Sequence, residues 1–270
     1  LAGGPIAQAS KCPAIGTFST NTKVTQIGDF IFRACFIDPF QGKVMAKYAY
    51  ETLGAKKVAI LFNNANDFSK GLSEAFQENY KAMGGTICEI QSYSGSDVKD
   101  FNVQLTKIKG SEPDALFMPG LLAEMPLQLQ QAKKVGITCP ILSGDAADTP
   151  ELVKMAGQEY TEGLIFTSAF SAESQETLAV EFVKKYQGKY NELPNSNAVL
   201  AYEATQLVVE AIKTAKTLDR QGVRDALASI KDFKVPSGTI SFDENRNPVK
   251  GAVIMQYKGE SAHFVTSVNP

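Results

Sequence analysis

Short apolar runs alternate along the chain with stretches in which apolar residues recur three or four positions apart. Val58-Ala59-Ile60-Leu61-Phe62 is strand-sized, and the polar loop Asn63-Asn64-Ala65-Asn66-Asp67 follows it. Leu72, Phe76, Tyr80 and Met83 then recur at helical spacing until Gly84-Gly85, which stops a helix. The alternation predicts strands near 57–62, 86–90, 114–118, 139–143 and 163–168. Phe101, Leu105 and Ile108 mark one intervening helix, 128–134 another, and 149–156 a short one. The predicted strands start 24 to 29 residues apart, the length of consecutive βα units. Right-handed crossovers then give a parallel sheet with helices on both faces, an α/β fold. From Glu173 the pattern changes to long helices, about 174–190, 197–216 and 219–230. Near the end, Thr239-Ile240-Ser241-Phe242 and Val249 flank the hairpin-like turn 243–247, before strands near 252–257 and 263–267.

Composition narrows the function classes. With 27 basic and 29 acidic residues among 270, the net charge is −2, and 44% of residues are hydrophobic. That is the balance of a packed protein, with no basic excess to neutralise phosphates, so nucleic acid is not an expected partner. The apolar runs are far shorter than the ~18 residues of a membrane span. One histidine, His263, argues against Ser-His-Asp, Cys-His and multi-histidine metal sites. Cys12, Cys35, Cys88 and Cys139 lie too far apart for a zinc or CxxC spacing. They read as small buried hydrophobes, or, in an exported protein, Cys12 and Cys35 as a disulfide.

Nothing at the predicted strand ends matches a nucleotide cradle: GxGxxG after a strand and GxxxxGK[ST] are both missing. Asp145 falls at the carboxyl end of a strand, where open α/β sheets place ligand groups. A turn-forming or helix-capping role fits that position too. The loop Gly16-Thr17-Phe18-Ser19-Thr20-Asn21-Thr22 offers hydroxyls and backbone N–H groups to a small anion, or it satisfies its own backbone. Glu124, Arg33 and the pair Lys133-Lys134 read as solvated or ion-paired surface residues.

Several ordered stretches resemble the periplasmic branched-chain amino-acid-binding proteins of ABC importers. Phe32-Arg33 with Asp38-Pro39-Phe40-Gln41-Gly42 is similar to that family's "FR…D..QG" crossover, and Leu53-Gly54-Ala55-Lys56-Lys57-Val58-Ala59-Ile60 to its "LGAKKVA" strand entry. Phe68-Ser69-Lys70-Gly71-Leu72, Pro150-Glu151-Leu152, Glu162-Gly163, Phe166-Thr167 and Gly238-Thr239-Ile240-Ser241-Phe242-Asp243 continue the match in order. The resemblance implies the periplasmic-binding-protein type I fold, two Rossmann-like lobes with parallel sheets, three crossovers and a ligand cleft that closes by a hinge. It divides the chain into lobe one, 1–37 and 169–250, and lobe two, 38–168 and 251–270. The family has two or three βα units ahead of the segment resembling 1–8. Lobe one is therefore expected to be incomplete at its N-terminus, with exposed sheet edges. The family's serine contact to the ligand carboxylate falls in those units.

The resemblance also nominates a site. The 16–22 loop is similar to the family's "S.SATNP" loop, which holds the ligand's carboxylate and ammonium; this nominates Phe18, Ser19 and Thr20, with Thr20 the clear identity. Asp145 stands at the family's acidic position for the ammonium. Phe68 and Leu121 stand where tyrosines are common, so one hydroxyl and one polar ring are lost and the site is more apolar. The expected function is that of a monomeric, non-enzymatic receptor in the periplasm or another extracytoplasmic space, exported by a signal that is not in this chain. It would carry a hydrophobic (branched-chain or aromatic) amino acid or analogue to an ABC permease in the membrane, with no metal and no cofactor. A ligand-sensing regulatory domain of the same fold, an amide sensor or repressor core, is the alternative. An enzyme is disfavoured because no nucleophile–base pair is identifiable.

Overall fold

The computed structural model describes residues Ala2–Asn269. In chain order its strands are β1 (Ala14–Gly16), β2 (Ile31–Arg33), β3 (Lys57–Asn63), β4 (Thr86–Tyr93), β5 (Ala115–Phe117), β6 (Ile141–Ser143), β7 (Ile165–Ser168), β8 (Phe233–Val235), β9 (Gly238–Ile240), β10 (Ala252–Lys258) and β11 (Ser261–Val268). The helices are α1 (Gly4–Ala9), α2 (Lys23–Gln26), α3 (Asp38–Lys47), α4 (Asp67–Ala82), α5 (Asn102–Gly110), α6 (Met125–Val135), α7 (Pro150–Ala156), α8 (Gln158–Thr161), α9 (Thr177–Tyr190), α10 (Ser196–Thr214) and α11 (Arg220–Ala228). The chain forms two compact units. One takes the residues up to Ile37, Ala169–Ala252 and Asn269; the other takes Asp38–Ser168 and Val253–Val268.

The second unit is built on a seven-stranded sheet of order β11-β10-β7-β6-β5-β3-β4. From β4 to β7 every neighbouring pair is parallel, and β10 joins β7 antiparallel. The run β4-β3-β5-β6-β7 is a doubly wound order whose direction of winding reverses between β3 and β5. Val58 to Leu61 are all buried because helices cover both faces, which is why β3 reads as a continuous apolar run. Alternation along the strands serves two cores. Ala59, Leu61, Leu116 and Met118 pack with Leu105 and Ile108 of α5 and Met125 and Leu129 of α6. On the other side Phe117 stacks on Phe76 of α4 at 4.2 Å, and Phe76 on Tyr80 at 5.4 Å.

Local chemistry sets the element ends. Asn66 caps α4 by accepting from Ser69 N–H at 3.0 Å, and Gly84, at φ +87°, takes the left-handed conformation that ends it. β4 runs to Tyr93, three residues beyond the apolar stretch that predicts it, because an edge strand tolerates polar Gln91 and Ser92. β6 begins at Ile141 rather than at Cys139, after Pro140, which has no N–H to give a ladder.

The first unit holds a two-stranded parallel sheet, β1 with β2, and the antiparallel hairpin β8–β9. The predicted strand at 239–242 finds its partner in β8, which the periodicity does not predict. Around the 243–247 turn Phe242 and Pro248 form an isolated antiparallel bridge. Asp243 Oδ1 organises that turn by accepting from the N–H groups of Asn245 and Asn247, each at 2.8 Å. Lys250 and Glu203 form a fully buried ion pair of 3.0 Å in this unit. Lys250 also donates to Ser237 Oγ at 2.6 Å, while Glu203 Oε1 accepts from Ser237 N–H at 2.7 Å.

None of the four cysteines is in a disulfide, so Cys12 and Cys35 are not bridged. Cys35 is a buried small hydrophobe as expected; Cys12 is exposed, and Cys88 and Cys139 are half-buried. Among the described residues no helix is long and apolar enough to cross a membrane.

Candidate functional site

In a doubly wound sheet the loops leaving the carboxyl ends of the strands at the reversal point are splayed apart, and ligands bind there. Here that point lies between β3 and β5. The loop after β3 leads to Phe68 in the first turn of α4, the loop after β5 carries Leu121, and the loop after the next strand, β6, carries Asp145. Three nominated residues of the second unit thus share one sheet edge. Phe68 and Leu121 are half-buried, and Asp145 is only 1% exposed. Gly144 joins two of them. A Cβ there would overlap Leu72 Cδ2 and lie 3.1 Å from Phe68 Cζ, so glycine lets the Asp145 turn approach the Phe68 ring without either side chain shifting.

Asp145 is held by Gln41, a fully buried residue of α3. Gln41 Oε1 accepts from the Asp145 N–H at 3.3 Å and from the Thr167 hydroxyl at 2.8 Å, while its Nε2 donates to Asp38 Oδ1 at 2.9 Å. One amide thereby links α3, β7 and the loop after β6. Asp148, from the same loop, accepts from Ser168 Oγ at 2.9 Å. Asp145 Oδ1 is buried with no hydrogen-bond partner among the described residues. Burial, reinforced by the nearby Asp38 and Asp148 carboxylates, pushes the Asp145 carboxyl up from 3.8 to about 8, although Gln41 and the backbone act in the opposite direction. Such a group is protonated when alone and is ready to ionise against a cation. Among the described residues no cluster of histidine, cysteine, aspartate or glutamate has a metal-holding arrangement.

In the first unit Phe18, Ser19 and Thr20 follow β1 at its carboxyl end. Thr20 is buried, Phe18 half-buried and Ser19 exposed. Arg33 corrects the surface reading: it is completely buried and secures this loop. Its guanidinium donates to the carbonyls of Ser19 and Asn21, both at 2.8 Å, and to Thr25 Oγ1 at 3.3 Å. A planar fork of donors suits several carbonyls at once, which a lysine could not match. The signal was available in the sequence, since Arg33 is the lone charge in the apolar run Phe30–Phe36.

Glu124 is also not a surface residue. It is 1% exposed, and its Oε1 accepts from Asn63 Nδ2 at 3.1 Å. Burial raises its carboxyl above the usual range, with the Asn63 hydrogen bond opposing. Lys133 and Lys134 are exposed as expected.

A family model described as periplasmic binding protein matches residues 1–262. The leucine-binding protein LivK of Thermotoga maritima has a solved structure similar to this chain, with 36% identity and a TM-score of 0.93, covering 99% of this chain and 76% of that one. LivJ of Streptococcus pneumoniae, solved with isoleucine, is 36% identical with a TM-score of 0.89, over 98% of this chain and 75% of its own. A Leu/Ile/Val-binding protein homolog of Brucella suis is 28% identical over 245 residues, which is 90% of this chain but 64% of the relative. The chain thus spans less than two thirds of the length of that curated relative. The sheet order and these matches agree, and the chain belongs to the periplasmic binding protein family.

Proposed function

We propose that this chain is the ligand-binding part of a solute receptor for an ABC importer, and that it takes up a hydrophobic L-amino acid, branched-chain or aromatic. The observation that carries this reading is Asp145: a buried carboxylate with an unpartnered oxygen, at the ligand edge of a doubly wound sheet. A carboxylate is what an ammonium needs when it leaves water, and charge-assisted hydrogen bonds are the strong kind. Phe68 and Leu121 supply apolar surface for an aliphatic or aromatic side chain. Backbone N–H groups and the Thr20 hydroxyl on the Phe18-Ser19-Thr20 loop suit a carboxylate. The relatives named for leucine, isoleucine and valine support the same ligand class. The receptor works as a monomer outside the cytoplasm, its partner is a membrane permease, and it catalyses no reaction.

Calorimetric titration with L-leucine tests the reading. Removing one member of a buried ion pair costs about 3–5 kcal/mol, so Asp145→Ala is expected to weaken leucine binding by roughly 10²- to 10³·⁵-fold. Equal affinity in the variant and the unaltered protein would remove the ammonium assignment. Tighter binding of 4-methylpentanoate, which is leucine without its amine, would overturn the amino-acid class and leave the solute receptor standing.

A further inference from the structure

Asn63, the last residue of β3, is 3% exposed and uses its whole amide. Its Nδ2 donates to Gly95 O at 2.9 Å and to Glu124 Oε1 at 3.1 Å, while its Oδ1 accepts from Ala65 N–H at 3.1 Å and Gly95 N–H at 3.3 Å. Its backbone N–H donates to Ser69 Oγ at 2.9 Å, and Ser69 follows Phe68 directly. On the other side, Glu124 lies at the entry to α6, and its N–H and that of Met125 both donate to the carbonyl of Leu121, at 3.1 and 2.9 Å. Three loops at the β3/β5 reversal point therefore meet at two residues whose side chains bond each other: the loop before Phe68 and the turn at Gly95 on the Asn63 side chain, and the loop of Leu121 on the Glu124 backbone. Nothing in the apolar packing requires a carboxyl at 124. Its Oε2 is buried with no hydrogen-bond partner among the described residues, which is a costly arrangement to keep without a role.

We infer that Asn63 and Glu124 form a clamp that fixes Phe68 and Leu121 relative to each other, making Glu124 a positioning residue for side-chain selectivity. The inference rests on the ligand reading of that sheet edge given above. Glu124 touches no ligand; it acts through the loops it joins. A glutamine keeps the side-chain length and an acceptor oxygen for Asn63 Nδ2, so it is a close replacement.

Hydrogen exchange and titration with L-leucine and L-phenylalanine, on the same variants, test the clamp. Glu124→Ala is expected to speed exchange about tenfold in residues 64–68, 94–97 and 119–123 together, leaving the amides of β6 and β7 protected. It is expected to weaken leucine binding about tenfold and to bring the leucine-to-phenylalanine affinity ratio toward one. Glu124→Gln is expected to restore both, and Asn63→Ala to reproduce the alanine pattern even if Glu124→Ala does not fold. Faster exchange confined to 119–123, or an unchanged affinity ratio in Glu124→Ala beside weaker binding, overturns the inference, as does failure of the glutamine rescue. If the unaltered protein binds no amino acid while the three segments loosen together, the clamp stands and the ligand reading falls.

Discussion

Lowering the pH is the sharpest perturbation of the Asp145 site. Without ligand its carboxyl ionises at about 8, because burial and the Asp38 and Asp148 carboxylates oppose the charge. An ammonium against the unpartnered Oδ1 reverses that balance, and binding must then expel a proton wherever the free site is protonated. Affinity is therefore expected to be highest above the ligand-free pKa and to fall as the pH drops through it. At pH 8 about half of the sites are ionised and at pH 6 about one in a hundred, so leucine affinity is expected to drop about fiftyfold over that interval, or roughly 2 kcal/mol. Calorimetry at pH 6 in buffers of differing ionisation enthalpy is expected to show about one proton released per leucine bound. Asp145→Asn is expected to abolish the release and flatten the profile. Stability without ligand has a related sign. The folded state holds this proton more tightly than the unfolded one, so the contribution of Asp145 is most favourable at low pH and is lost as the pH rises from about 4 to about 8. An affinity that is level from pH 6 to 8, with no proton released, would refute the reasoning.

The Lys250–Glu203 pair and the thiols supply two further expectations. Lys250→Ala strands a buried carboxylate and is expected to destabilise the first unit by about 3–5 kcal/mol, whereas Lys250→Met with Glu203→Leu recovers most of that; a Lys250→Ala midpoint equal to that of the unaltered protein would show the pair to be dispensable. Timed alkylation under native conditions is expected to label exposed Cys12 first and Cys35 only after unfolding, with half-buried Cys139 slow because burial pushes its thiol up to about 11; early labelling of Cys35 would contradict its burial.

The parallel sheet was legible because its signal is local. Val58–Phe62 is apolar throughout since both faces are covered, and Gly84 and Gly136 stop their helices through a conformation that other residues reach at a cost. Strand β8 was not legible, because Phe-Lys-Val is too short for a period to show and its partner across the hairpin defines it. Among the nominated site residues, Asp145 stood out by its place at a strand end, which periodicity alone provides. Phe18, Ser19, Thr20, Phe68 and Leu121 came from resemblance, and the structure adds their setting.

The two misread charges show where sequence patterns stop carrying information. Local pattern puts Arg33 and Glu124 at the surface because charged residues are rarely buried without partners. Their partners are two carbonyls and a hydroxyl 8 to 14 residues from Arg33, and an amide at the end of β3, 61 residues from Glu124, which no local pattern reports. Arg33 could still have been suspected, since a lone charge inside seven otherwise apolar residues must either break the strand or find acceptors at its end. Glu124 gives no such warning: Leu121-Leu122-Ala123-Glu124-Met125 fits equally well a helix start facing water. The difference follows from the elements they occupy. A strand covered by its neighbours leaves a charge little choice of direction, while a residue at a helix entry can face out or in, and only the packing of the β3 and β5 loops turns Glu124 toward Asn63.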